Sequence, residues 1–211
     1  MLDNKDTIIF DFDGTLVDTM HIFADVASHL ISENYNISQE EARNKYLKTS
    51  GLPFVRQLEN IFPNHKLNNK IVRLYESQKL NATADVVLEK EVGDALSFFK
   101  KYDLNLVISS NNYQYNLDNF IINNNLSNIF SLVLGYKDNF SKGFDHFNEV
   151  IKQLAIEKES AVFIGDSLHD AVIAKDFGID FIGITGTFNK KDFLKIDKDM
   201  KIINNISDLV L

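Results

Sequence analysis

Six short runs of nearly continuous apolar, β-prone residues punctuate this chain, and their separation by helical patterns constrains its fold more than any other feature. They cover residues 7–12 (TIIFDF), 104–109 (LNLVIS), 131–134 (SLVL), 161–165 (AVFIG), 181–185 (FIGIT) and, more weakly, 201–203. Continuous rather than alternating hydrophobicity is what a strand needs when both of its faces are covered, as in a parallel sheet. Between the runs, Val92, Ala95, Leu96 and Phe99 share one helical face, and the pattern over 168–177 ends at Gly178, a natural helix terminator. The alternation predicts an α/β fold, a Rossmann-like parallel sheet with helices on both faces. Ligands of such folds bind beyond the carboxyl ends of the strands.

The first two runs are separated by residues 13–103, far more chain than one crossover helix requires. That stretch is helical in pattern. Ser38-Gln39-Glu40-Glu41 has the form of a capping box, opening a helix expected to stop near Gly51, and the only two prolines, Pro53 and Pro63, punctuate its middle. These signals predict a helical domain at 17–86 inserted into a core made of 1–16 and 87–211.

A formal charge of −8 argues against a general nucleic-acid binder, whose affinity rests on a basic surface. It leaves open a small phosphorylated metabolite, which responds to the few groups lining its pocket. With no cysteine, disulfides and thiolate chemistry are excluded. No apolar run is long enough to cross a bilayer, and the first residues lack a secretory pattern, so the expectation is a cytoplasmic protein without a membrane partner.

Asp11 and Asp13 end the first run, in Asp11-Phe12-Asp13-Gly14-Thr15. Residues two apart on a strand share a side, so both acids can face one substrate, with Gly14 easing the turn that follows. One carboxylate can act as nucleophile while its partner protonates the leaving oxygen. Their mutual repulsion calls for a cation. A plain Asp-Gly turn is the competing explanation. The fourth run makes that explanation weaker, because Gly165-Asp166-Ser167-Leu168-His169-Asp170 brings two more acids to the start of a helix. Asp166 can offer a second carboxylate to a hard ion such as Mg2+, and Asp170 lies one helical turn further on. Simple helix capping competes here. Ser109-Ser110-Asn111, ending the second run, can cradle a phosphate, and Lys142 or Lys137 can supply its cation. The five histidines show no metal-ligand spacing, and surface placement is expected for His169. Phe12 is expected to pack into the core.

Taken in order, these segments resemble the haloacid dehalogenase superfamily of phosphotransferases. Residues 11–19 look like its first motif almost letter for letter, Ser109 like the second, Lys142 like the basic third, and Gly165-Asp166-Ser167 with Asp170 like the acidic fourth. The helical insert is similar to the cap of the phosphoglycolate phosphatase-like and β-phosphoglucomutase-like branch. The resemblance implies that Asp11 attacks phosphorus and that Asp13 serves as acid and then base. It implies Mg2+ held by Asp11, the Asp13 backbone carbonyl and Asp166, with Asp170, Gly14 and Thr15 in support. Ser109, Ser110 and Lys142 would then hold the phosphoryl group. Relatives usually carry Lys-Pro-x-Pro-Asp at the third motif, where this chain reads Lys142-Gly143-Phe144-Asp145.

The expected activity is hydrolysis of a small phosphate monoester by a monomer or homodimer. A phosphomutase needs the same two acids, and a non-catalytic binding or regulatory protein on the same fold is the alternative from another class. Residues 51–56, ending in Arg56, resemble the cap loop that contacts substrate in this branch. An exposed helical arginine is the plainer reading of Arg56.

Overall fold

A computed structural model describes residues 2, 4–83, 86–137 and 139–210. The chain opens with strand β1 (Thr7–Phe10) and four helices, α1 (Met20–Asn34), α2 (Gln39–Lys48), α3 (Phe54–Ile61) and α4 (Asn68–Ala82). Then come α5 (Lys90–Lys101), β2 (Asn105–Tyr113), α6 (Gln114–Asn123), β3 (Leu132–Tyr136), α7 (Phe144–Leu154), β4 (Ala161–Gly165) and α8 (Leu168–Phe177). Strand β5 (Asp180–Ile184), the short helix α9 (Lys190–Phe193) and β6 (Lys201–Ile203) complete the order. The six strands form one all-parallel sheet in the order β3-β2-β1-β4-β5-β6. This is the α/β architecture that the apolar runs predict.

Both sheet faces are covered because both are apolar. On one, Ile9, Val107 and Phe163 pack with Phe147 and Val150 of α7 and Ala174 of α8. On the other, Phe10 stacks on Phe99 of α5 at 6.3 Å. Strand β1 stops two residues before the expected Phe12, because the chain folds back on itself there. The Phe12 carbonyl accepts from Leu16 N at 2.9 Å and Val17 N at 3.2 Å, and Gly14 turns the backbone with φ 80°. Phe12 itself is buried, edge-on to Phe120 at 4.9 Å. Strand β2 runs on past Ser109 to Tyr113, which pairs with Tyr136 after a shift in register.

The chain divides into two compact units, one of Met1–Val17 with Val87–Leu211 and one of Asp18–Val86. Helices α1–α4 build the second around a core of its own. Phe54 stacks on Tyr75 at 3.8 Å, Leu58 and Ile71 are fully buried, and the Tyr46 and Tyr75 hydroxyls meet at 2.8 Å. Ser38 caps α2 by accepting from Glu41 N at 3.1 Å. That helix ends at Lys48, short of Gly51, where the Thr49 hydroxyl donates back to the Lys45 and Tyr46 carbonyls. No helix among the described residues is long and apolar enough to cross a membrane.

Phe163 is fully buried on the central strand β4, with the Phe147 ring at 5.1 Å and the Phe181 ring at 5.8 Å. Phe163→Ala is expected to cost about 3–5 kcal/mol of stability, measured by urea denaturation, because rings fixed on two other elements cannot collapse into the space it leaves.

Candidate active site

Parallel register builds the site. Phe10 lies opposite both Ile108 and Ile164, so the next residues of the three strands, Asp11, Ser109 and Gly165, stand level at the sheet's carboxyl edge. Asp11 N continues the ladder by donating to the Ile164 carbonyl at 2.8 Å, which fixes the base of its side chain. Asp166 follows β4 directly, and Asp170 enters from the first turn of α8. Asp11, Asp166 and Asp170 are all buried, and each offers an oxygen within 4.8 Å of the others.

The two oxygens of Asp170 are engaged differently. Its Oδ2 completes the capping box of α8, accepting from Ser167 N at 3.3 Å and Ser167 Oγ at 2.6 Å, while Asp170 N donates to Ser167 Oγ at 3.0 Å. Its Oδ1 turns to the site and meets Lys142 Nζ at 2.7 Å. The same ammonium lies 3.0 Å from Asp11 Oδ2. Lys137 is exposed, its Nζ 5.7 Å from the centre of the Phe140 ring, so Lys142 is the lysine that meets the acids.

Electrostatics explain why a lysine alone leaves the cluster incomplete. Two ionised carboxylates at the outer limit of this spacing repel by about 3 kcal/mol at an effective dielectric constant of about 20. Removing each charge from water adds a further penalty. Burial pushes the Asp11 carboxyl well above its ordinary range; the Lys142 ammonium pulls it back, while Asp170, Asp166 and Asp13 push it further. Burial, then Asp170, raises Asp166 to about 7. For Lys142, burial opposes the charge, but Asp11 and Asp170 outweigh it and hold the ammonium above its ordinary value. Three carboxylates and one ammonium carry two net negative charges when ionised. An all-oxygen donor set with that residual charge fits a hard divalent cation.

Asp13 is half-buried, and its Oδ2 accepts from Asn112 Nδ2 at 3.3 Å. Asn116 Nδ2 in turn donates to Asn112 Oδ1 at 2.8 Å. Ser109 and Ser110 are both buried but differently engaged: Ser109 Oγ meets His146 Nδ1 at 3.0 Å, whereas Ser110 Oγ accepts from Asn112 N at 3.0 Å. Thr15 is buried, its Oγ1 without a hydrogen-bond partner among the described residues. His169 is half-buried rather than on the open surface, and burial lowers its pKa. Arg56 is exposed on α3, within the helical unit.

At the third motif Gly143 takes φ 115° and ψ −133° before α7. Only glycine enters that region freely, and a proline ring would hold φ near −65°. The departure from the proline-rich pattern is thus a different backbone path. Asn111 supports it, its Oδ1 accepting from Lys142 N at 3.1 Å. Asn112, His146 and Thr187, whose Oγ1 donates to Asp166 Oδ2 at 3.1 Å, are site neighbours that sequence reasoning missed. A hint existed for His146, which lies only four residues after Lys142 in the sequence.

Comparison with known proteins agrees with this architecture. Residues 8–184 match the family model of the haloacid dehalogenase-like hydrolases. Pyrophosphatase PpaX of Oceanobacillus iheyensis is 26% identical over 208 residues, 97% of this chain and 94% of that protein. Phosphoglycolate phosphatase of Synechococcus elongatus is 24% identical over 204 residues, 96% and 94% of the two chains. Among solved structures, a haloacid dehalogenase-like family protein of Streptococcus pneumoniae superposes with a TM-score of 0.81 at 20% identity, covering 98% of this chain and 97% of its own. CbbY of Rhodobacter sphaeroides, solved with phosphate, gives 0.76 at 18% identity over 97% and 96%. With its family model spanning most of its length and a buried acid cluster at the sheet's carboxyl edge, the chain belongs to the haloacid dehalogenase-like hydrolases.

Proposed function

We propose that this hydrolase is a magnesium-dependent phosphatase that cleaves a small phosphate monoester through an aspartyl-phosphate on Asp11. The observation that carries the reading is the convergence of three buried carboxylates, two of them, Asp11 and Asp170, paired with one lysine. A carboxylate so enclosed has no packing value of its own, and its charged form is useful as a nucleophile.

In this mechanism Asp11 attacks phosphorus, and the ester oxygen leaves with a proton supplied by Asp13. Asp13 then takes a proton from the water that attacks the aspartyl-phosphate and releases inorganic phosphate. The Asn112 amide holds the Asp13 carboxylate in place for both steps. Lys142 favours the ionised form of Asp11 and, with Ser109 and Ser110, binds the phosphoryl oxygens. Asp170 orients the lysine, while Gly14 and Thr15 shape the turn beneath Asp13. Mg2+ would be held by Asp11, the Asp13 backbone carbonyl and Asp166, and when bound it neutralises charge on the transferring group.

We assign residues 17–86 the role of a cap domain that governs substrate choice, with Arg56 as its substrate contact. The match to pyrophosphatases and phosphoglycolate phosphatases makes small, strongly anionic phosphates the first substrates to try.

A screen of pyrophosphate, phosphoglycolate, sugar phosphates and nucleotides, with magnesium and with chelator, is expected to show magnesium-dependent phosphate release. Asp11→Asn is expected to lower it on the order of 10⁴-fold or more. Isomerisation of a sugar phosphate that outpaces phosphate release would replace hydrolysis by mutase chemistry, and residual magnesium-dependent activity in Asp11→Asn would remove the nucleophile. With the preferred substrate, Arg56→Ala is expected to raise KM and leave kcat unchanged; an unaltered KM dismisses Arg56.

The acid cluster also sets a pH dependence for the metal-free protein. Asp166 titrates at about 7 when folded against 3.8 unfolded, so the folded state keeps a proton that the unfolded chain releases. Its contribution to stability is fully present below 3.8 and is lost as pH rises to about 7. In chelator the melting temperature should therefore fall across that window. Asp166→Asn should flatten the decline, and magnesium should reverse it at the upper end.

A further inference from the structure

His146 is buried without exposure, in a place where an apolar side chain would pack without desolvation cost. It lies in the first turn of α7, beside the fully buried Phe147, with the Phe140 ring 4.5 Å away. Burial, reinforced by the Lys142 charge, lowers its pKa to about 3, so the ring is neutral and provides no countercharge. What it provides is a hydrogen bond. Nδ1 meets Ser109 Oγ at 3.0 Å, and Ser109 stands level with Asp11 on the neighbouring strand.

Ser109 and Asn111 lie two residues apart on β2. Both reach the start of α7, Ser109 through His146 and Asn111 through the backbone N of Lys142. We infer that His146 is a positioning residue for catalysis, locking the Ser109 hydroxyl in the one rotamer that faces the phosphoryl group on Asp11. A serine hydroxyl left alone samples three staggered positions, and the bond to His146 selects one. The inference rests on the phosphatase reading above and adds a residue to that same site.

The test is a double-mutant cycle on magnesium-dependent hydrolysis of p-nitrophenyl phosphate, with melting temperatures recorded for every variant. Ser109→Ala and His146→Leu are each expected to lower kcat/KM by about tenfold or more. In the double variant the losses should not multiply, because the histidine has no hydroxyl left to hold. His146→Asn places an amide N–H near the position of Nδ1, which can donate to Ser109 Oγ and leave the hydroxyl proton for the phosphoryl oxygen, so it should restore most of the activity. His146→Gln, with its amide one bond too far out, should not, and it replaces the leucine variant if that fails to fold. Multiplying losses, or equal activity in the asparagine and glutamine variants, would overturn the positioning role. Activity that depends on Asp11 and Ser109 but responds additively to His146 removes this inference alone. A wild-type protein inactive on every phosphate ester removes the phosphatase reading and this inference with it.

Discussion

Repulsion among three carboxylates held out of water governs this structure. No chain gathers such groups unless something offsets the cost, and here the offset begins with a single ammonium bridging two of them. The surrounding scaffold keeps these groups from relaxing apart. A parallel ladder fixes Asp11, a helix N-terminus fixes Asp170, and the turn after β4 carries Asp166 between them. Asp11 is anchored through its backbone N, Asp170 through Ser167, and Asp166 through the Thr187 hydroxyl.

Much of this was legible in the sequence because it depends on local spacing. Continuous apolar runs announced buried strands, and acids immediately after two of them announced the occupied edge of the sheet. Lys142 was legible as one of two lysines, but the choice between it and Lys137 depended on how the chain leaves β3. That departure is set by Gly143 and Asn111, which no periodicity reveals. The strand ends were misjudged for a similar reason. Phe12 looks like strand by composition, yet its carbonyl is claimed by Leu16 and Val17, and β2 continues only because Tyr113 finds Tyr136 after a register shift.

The residues that escaped sequence reasoning share one property: their partners are distant in the chain. His146 meets Ser109 across 37 positions and Thr187 meets Asp166 across 21. Buried polar groups must be satisfied, but a sequence does not say by whom. Asp170 shows the opposite situation. Its capping role and its site role looked like rival explanations, and one carboxylate with two oxygens serves both.

The backbone at Gly143 bears on how such a chain can be engineered. A design that copied the Lys-Pro-x-Pro-Asp pattern onto this chain would write a proline there. In this protein that exchange would demand a rotation of about 180° in φ, from 115° to near −65°, at the residue that joins Lys142 to helix α7. The lysine and the helix that carries His146 would have to move together. Here a proline taken from that pattern is an incompatible part, and a designer would need to transplant the whole segment from β3 to α7 or leave it alone.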